Sequence, residues 1–257
     1  MPVGGDANRS KWHAILVKID FKFVMMKREI IITQDGSHSI AIDQTNITYH
    51  SRYGAIRESK HVYIESGLKK LLNQKPCINI FEMGFGTGLN ALLTLISAEE
   101  NNQKIYYETI DKSFLENQLL ENLNYCEQLE RQDLRSTFIE LHNCESGKEI
   151  SINSFFSFKK SNATLEGYIF SKSFDIIFYD AFAPRAQPEL WIEEIFKKLF
   201  AALNPNGFLV TYCSKGDVKR AMQAAGFVVE HLPGPPHKRE ILRAVKNSFF
   251  HAKAQSK

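Results

Sequence analysis

The sequence predicts an α/β fold with an open, mostly parallel sheet, and three stretches carry that prediction. In the first, Ile78, Ile80 and Phe81 run into Glu82-Met-Gly-Phe-Gly-Thr-Gly88, and Leu89-Asn-Ala-Leu-Leu93 then begins an apolar helical pattern; the order is strand, tight loop, helix. In the second, Lys104-Ile-Tyr-Tyr-Glu-Thr-Ile110 reads as a strand ending in Asp111. In the third, Phe174-Asp-Ile-Ile-Phe-Tyr179 reads as a buried strand that delivers Asp180 to its carboxyl end. Open parallel sheets bind ligands outside the carboxyl ends of their strands, so the loop, Asp111 and Asp180 are expected to share one crevice. The predicted class is Rossmann-like.

The glycine loop is the most specific of these signals. A Cβ at Gly84, Gly86 or Gly88 would obstruct a sharp turn and the approach of a ligand to backbone N–H groups at the helix start. The dinucleotide fingerprint G-x-G-x-x-G places its third glycine three residues on, whereas both intervals here are equal and an acid, Glu82, precedes them. Asp111 has two readings. A carboxylate about twenty residues past such glycines accepts from both ribose hydroxyls, and the same residue type also makes a good N-cap for a helix beginning near Phe114.

Composition narrows the class of protein. A length of 257 residues suits one catalytic domain with an appendage. Hydrophobic residues at 44% and charged residues at 24% are ordinary for a globular protein, and no apolar run is long enough to cross a bilayer, so no membrane partner is expected. Cys77, Cys126, Cys144 and Cys213 are widely spaced with no C-x-x-C pair. They read as reduced thiols of a cytoplasmic protein, not as metal ligands. A net charge of +3 permits an anionic partner without demanding one.

Taken in order, residues 1–24 carry charges among their apolar positions and read as an unstructured extension without the features of a signal peptide, with Met25-Met26 as a candidate start. Residues 25–57 form an N-terminal appendage, a hairpin turning at Asp35-Gly36. Residues 58–248 form the main domain and 249–257 a tail. Residues 58–72 have helical spacing in Val62, Leu68, Leu71 and Leu72. Residues 136–142 read as the third strand, and Ile150, Ile152, Phe156 and Phe158 as an extra hairpin, with residues 159–162 able to turn the chain. Aromatics beside Lys159 and Lys160 are either hairpin core or an RNA-stacking surface. Pro188 opens a helix through residue 203, a turn follows at residues 204–207, strands lie at 208–213, 227–231 and 240–245, and a helix begins near Ser214.

Taken together, Glu82-Met-Gly-Phe-Gly-Thr-Gly-Leu-Asn90, Asp180-Ala-Phe-Ala-Pro184, Pro188-Glu-Leu-Trp191, Ala225-Gly-Phe227 and Gly234-Pro-Pro-His-Lys-Arg-Glu240 resemble the methyltransferase half of the MnmC family. These bifunctional proteins build 5-methylaminomethyl-2-thiouridine at the tRNA wobble position. The resemblance spans residues 30–244. It implies a class I methyltransferase with a seven-stranded sheet that binds S-adenosyl-L-methionine (SAM) through Glu82, Gly84, Phe85, Gly86, Gly88, Asn90 and Asp111. Where the family has a Gly-Asp pair after the third strand, this chain has Asn143-Cys-Glu145, so Glu145 is the candidate for the adenine-side acid.

The same resemblance implies methyl transfer to the primary amine of 5-aminomethyl-(2-thio)uridine in tRNA. An alkylammonium with a pKa of about 10 must lose a proton before its lone pair can attack, and Asp180 is the candidate acceptor. Its alternative role is to cap the next helix. Phe182 is placed to stack on the uracil, with Pro184 stiffening its loop. Lys238 and Arg239 at the start of an antiparallel last strand, and Lys215 after the strand at 208–213, are expected at the crevice rim against tRNA phosphates. The family's fused FAD-dependent oxidase has no counterpart in about a dozen residues after the last strand, so a stand-alone enzyme without FAD or metal is expected, with an oxidase or other modification enzyme as a separate partner. Competing readings are a transferase acting on a small amine and a non-catalytic RNA-binding module.

Overall fold

A computed structural model describes residues 27–247; the extension 1–24, the Met25-Met26 pair and the tail 249–257 lie outside the described residues. The chain opens with a hairpin, β1 (Arg28–Ile32) and β2 (His38–Ile42), paired antiparallel with Ile30 opposite Ile40. Its turn is at Asp35-Gly36 as expected, with Gly36 at φ 81. The Asp35 carboxylate accepts from Ser37 N at 3.1 Å and from Arg57 N at 2.9 Å, tying the turn to the next segment.

The main sheet has eight strands in the order β5-β6-β4-β3-β7-β8-β10-β9. They are β3 (Cys77–Met83), β4 (Lys104–Asp111), β5 (Glu149–Ser151), β6 (Phe156–Asn162), β7 (Phe174–Tyr179), β8 (Leu203–Thr211), β9 (Val228–Pro233) and β10 (Glu240–Val245). Strands β6, β4, β3, β7 and β8 are mutually parallel, whereas β10 runs antiparallel to both β8 and β9. All six residues of β7 are buried, the expected fate of a continuous apolar strand at the centre of a parallel sheet covered on both faces. One face carries helix Leu89–Glu100 and helix Arg135–Asn143 over Ile78, Ile80, Tyr107 and Phe158. The other carries helices Glu193–Ala202 and Gly216–Ala224 over Phe81, Ile177 and Leu209. The chain leaves β3 toward β4 on one side and returns to β7 on the other, so the crevice opens at the carboxyl end of β3 between its neighbours.

Several expected elements are corrected. Residues 136–142 are not the third strand but lie in helix Arg135–Asn143; Leu134, Phe138 and Leu141 are buried at helical spacing, and that period wins over the short apolar run. The third parallel strand is β6, which pairs with β4 from Phe156 opposite Ile105 to Asn162 opposite Asp111. Residues 159–162 therefore end a strand and do not turn the chain. The extra hairpin exists, since β5 pairs antiparallel with β6, and it adds the eighth strand to the seven expected. Phe156 and Phe158 are 1% and 0% exposed, which makes them core and removes them as an RNA-stacking surface. The helix expected over 58–72 is three pieces: α-helix Ala55–Ser59, a π-helical turn Lys60–Glu65 and a 3-10 turn Leu68–Lys70. The one expected over 188–203 breaks at Ile192, with Pro188–Trp191 forming a 3-10 turn.

Candidate active site

Five parallel strands end at one crevice, and each contributes a residue there. β3 passes into the glycine loop, whose Gly84 has φ 92; a Cβ at this position would lie 2.7 Å from the Asp180 carbonyl oxygen. Asp180 N donates to Met83 O at 2.9 Å, so the absence of a side chain at Gly84 is what lets the two loops touch. Gly88, at φ 74, starts helix Leu89–Glu100, and a Cβ there would meet His142 Nε2 at 2.6 Å. His50 Nε2 lies 2.6 Å from the Thr87 hydroxyl, and His142 Nε2 donates to Thr87 O at 3.1 Å. Burial lowers both histidines, His50 to about 4 and His142 to about 3, so two neutral rings hold the loop from either side.

The first cavity, of about 560 Å³, is lined by the loop residues Met83 to Thr87, by Asp111 and Ser113, by Asn162 to Thr164, and by Arg28, Tyr49 and Phe182. That volume suits a nucleoside-sized ligand. Asp111 Oδ2 accepts from Gly86 N at 3.0 Å and Oδ1 from Ser113 N at 3.1 Å. The carboxylate thus braces the glycine loop and at the same time lines the cavity. Burial raises its pKa, opposed by these backbone hydrogen bonds and by Arg28. No helix is capped by it, since the next one is Asn117–Leu120 with Glu116 as N-cap.

The second cavity, of about 570 Å³, adjoins the first and is lined by residues 45–51, Glu58, Asp180 to Ala183, Arg185, Tyr212 and Lys238. Tyr49, Asp180 and Phe182 line both. The Tyr49 and Phe182 rings meet edge to face with centroids 5.1 Å apart, forming an aromatic partition between the cavities. Asp180 stands at the junction. Its Oδ1 accepts from the Tyr63 hydroxyl at 2.7 Å and its Oδ2 from Asn90 Nδ2 at 2.9 Å. Burial is the main cause that pushes the Asp180 carboxyl up to about 7; the Glu58 charge adds to it, while the bonds from Tyr63 and Asn90 and the charge of Lys238 oppose it. Tyr63 comes from the π-helical turn, a distortion that recurs at functional sites, and burial raises its phenol well above 10, so it stays a donor.

The residues expected at the site divide into three groups. Gly84, Phe85, Gly86, Asp111, Asp180, Phe182 and Lys238 line the cavities. Glu82, Gly88 and Asn90 lie beneath them and support the loop. Glu82 is fully buried, accepts from Asn90 Nδ2 at 3.0 Å, and is raised well above an ordinary carboxyl by that burial. Glu145, Pro184, Lys215 and Arg239 line neither cavity. Glu145 is a correction: its side chain is 74% exposed and 3.5 Å from Lys148. With β6 as the third strand, the position after that strand is Asn162-Ala-Thr164, which does line the first cavity. Lys238 also departs from expectation, turning inward to Glu58 at 3.5 Å. Lys215 and Arg239 are exposed and have no ion-pair partner among the described residues. The sequence reading missed Arg28, Tyr49, His50, Thr87, Tyr63 and Tyr212. Three of them, Tyr49, His50 and Tyr63, fall in residues 49–63, a stretch dense in hydrogen-bonding side chains.

A family model described as S-adenosyl-L-methionine-dependent methyltransferase matches residues 120–247. The chain belongs to the SAM-dependent methyltransferases. It is 29% identical over 207 residues to the tRNA 5-methylaminomethyl-2-thiouridine biosynthesis bifunctional protein MnmC of Methylobacillus flagellatus, covering 76% of this chain and 32% of the relative. To the protein of the same name from Pseudomonas syringae it is 27% identical over 211 residues, covering 76% and 31%. The chain therefore spans about a third of the length of these curated relatives. Among solved structures, MnmC2 from Aquifex aeolicus superposes with a TM-score of 0.72 at 22% identity, over 91% of this chain and 76% of that one. A spermidine synthase from Thermotoga maritima shares the fold more loosely, with a TM-score of 0.50 at 14% identity over 86% and 70%. The methyltransferase residues fit a bound SAM: backbone N–H groups at the start of helix Leu89–Glu100 meet anionic or polar groups favourably, and Asp111 offers a carboxylate to hydroxyl donors.

Proposed function

We propose that this methyltransferase modifies the primary amine of 5-aminomethyl-(2-thio)uridine at the tRNA wobble position, giving the 5-methylaminomethyl nucleoside. The observation that supports the reading most is that Asp180 lies at the junction of a cofactor-sized cavity and a second, acidic and aromatic one. The names of the MnmC relatives point to the same nucleoside. In this reading the glycine loop, Asp111 and Asn162 hold SAM, which when bound supplies a methyl group on a sulfonium whose sulfur leaves with the bonding pair.

The chain's own part is to position and deprotonate the amine. A carboxylate whose pKa is pushed up to about 7 is a better match to an ammonium than an ordinary aspartate, and general bases poised near the working pH transfer protons most efficiently. Tyr63 and Asn90 fix its two oxygens, so its lone pairs are aimed and not free to rotate. Tyr49 and Phe182 bound the second cavity beside it and provide apolar faces for a planar base. Exposed Lys215 and Arg239 flank the crevice, because β10 runs antiparallel to β8 and begins where β8 ends; they are assigned to phosphate contacts. The aminomethyl group is supplied by a preceding enzymatic step, with oxidation among the candidates.

The test is transfer of labelled methyl from SAM to tRNA isolated from cells lacking this gene, read by nucleoside mass spectrometry. Aminomethyluridine converted by wild type but not by Asp180→Asn is the expected result. Turnover of free polyamines with no nucleoside product would replace tRNA with a small amine as the substrate.

A further inference from the structure

The second cavity holds a carboxylate that the proposed reaction has not yet used. Glu58 belongs to helix Ala55–Ser59, and its side chain is 15% exposed. Oε2 accepts from Ser51 N at 2.9 Å, which fixes the group in place. Oε1 faces Lys238 Nζ at 3.5 Å, and the same ammonium lies 4.4 Å from the centroid of the Tyr212 ring. Glu58, Asp180, Tyr212 and Lys238 all line this one cavity. A primary alkylammonium is therefore already seated here, between a carboxylate and an aromatic face, and it belongs to the protein.

That seat has the chemistry a substrate amine needs. Carboxylate plus aromatic face is a cation site, since the ring quadrupole and the fixed anion both favour positive charge. The occupant's side chain has room to swing out: Lys238 follows His237 and precedes Arg239, both exposed, and its own side chain is 30% exposed. His237 stacks on Tyr53 with centroids 4.2 Å apart, which keeps this loop beside residues 51–58 while the lysine side chain swings.

We propose that Glu58 and the face of Tyr212 receive the substrate's primary amine as its ammonium, in exchange for the Lys238 ammonium, and thereby set the enzyme's preference for an amine-bearing nucleoside. The inference rests on the methylation of an amine proposed above. The proton balance is simple. One N–H bond of the bound ammonium breaks, its proton forms an O–H bond on the Asp180 carboxylate, and the nitrogen keeps the electron pair. Once the proton has moved the seated nitrogen is neutral, so the lowering influence that Lys238 exerts on Asp180 is gone while Glu58 still raises it, which favours the proton on Asp180. The other groups facing Asp180 are Tyr63 and Asn90, which donate to it, Glu82, linked through Asn90, and the Tyr212 phenol, whose own pKa is raised first by burial and then by the Asp180 charge. None of these moves with the exchange. Glu58 is thus a specificity and positioning residue, and Asp180 remains the base.

The experiment compares wild type, Glu58→Gln and Lys238→Met on tRNA carrying 5-aminomethyluridine, with SAM affinity measured in parallel to show that each variant is folded and loaded. Glutamine keeps an acceptor for Ser51 N and removes only the charge. Glu58→Gln is expected to raise the KM for tRNA roughly 30-fold, the scale of losing one partner of a desolvated charge pair, with kcat changed far less. It also moves the acid limb of kcat/KM to lower pH, since a negative neighbour of Asp180 is gone. Lys238→Met is expected to lower KM, to move that limb to higher pH and to leave the salt dependence unchanged. A Glu58→Gln KM equal to wild type, or a Lys238→Met enzyme that binds tRNA more weakly with a reduced salt slope, overturns the exchange while leaving the methylation reading intact. If wild type is inert on tRNA but methylates a free amine, the same KM split read on that amine supports the exchange and ends the tRNA reading. If wild type methylates neither, both fall.

Discussion

The two cavities that meet at Asp180 are built by different means. The first is lined chiefly by residues at or just after the ends of neighbouring strands: the loop after β3, Asp111 at the end of β4 and Asn162 at the end of β6, with Arg28, Tyr49 and Phe182 around them. The course of its glycine loop and the place of its acid, Asp111, follow from glycine placement and strand order. The second is made of side chains from distant parts of the chain, with Glu58, Asp180, Tyr212 and Lys238 each on a different segment. Its character comes from charge and rings, not from backbone. A ligand common to a large family is held where the fold itself provides the contacts, and substrate selection is left to side chains that can change without disturbing the sheet.

With this division, variants in the two regions are expected to separate binding of SAM from chemistry. The largest effect is expected at the junction: Asp180→Asn should reduce methyl transfer by roughly a thousandfold, within the span of general-base contributions, with SAM affinity by calorimetry nearly unchanged. Loss of SAM binding in that variant would mean that the cavities are not independent. Next comes Gly84→Ala, where a Cβ 2.7 Å from Asp180 O and a positive φ combine; thermal melts should show a loss of about 1–3 kcal/mol, and both SAM affinity and activity should fall together.

The pH dependence sharpens the same comparison. The Asp180 carboxyl is pushed up to about 7, so the folded protein binds a proton there that the unfolded chain releases near the ordinary value of 3.8. Between those values stability falls as pH rises, because ionisation is harder in the folded state. Asp180→Asn should therefore melt higher than wild type above pH 7, and the advantage should vanish by pH 4. Activity should run the opposite way, with kcat/KM rising through an acid limb near pH 7. Removing one donor should move that limb further: Tyr63→Phe takes away a bond that lowers the Asp180 pKa, and the limb should shift to higher pH with SAM affinity intact. The smallest effects test the third strand. Asn162→Ala should weaken SAM severalfold by equilibrium binding, whereas Glu145→Ala should leave it unchanged.

The strands with continuous apolar runs were legible because burial on both faces leaves little choice of residue; β7, β4 and β10 begin and end where the sequence placed them. Residues 136–142 misled because Phe138-Ile139 reads as a short apolar run, whereas the helical spacing of Leu134, Phe138 and Leu141 and the packing of His142 against Phe85, with centroids 4.7 Å apart, make the segment a helix. That one misassignment carried Glu145 into the site with it. Topology brings Lys238 near the crevice, but its direction depends on Glu58, 180 residues earlier in the chain.

By itself the sequence determined the class of fold, the position of the crevice, the glycine loop and the two acids Asp111 and Asp180, since these follow from strand order and from backbone requirements local to each motif. Tertiary structure alone decided the rest: that Glu82 and Asn90 support the loop from beneath, that Tyr63 and Asn90 aim Asp180, that Tyr49 and Phe182 divide the two cavities, and that Glu58 and Lys238 face each other. The reason is physical. A side chain's direction and pKa are set by neighbours far away in sequence, through burial and a few short hydrogen bonds, and no local pattern encodes those neighbours.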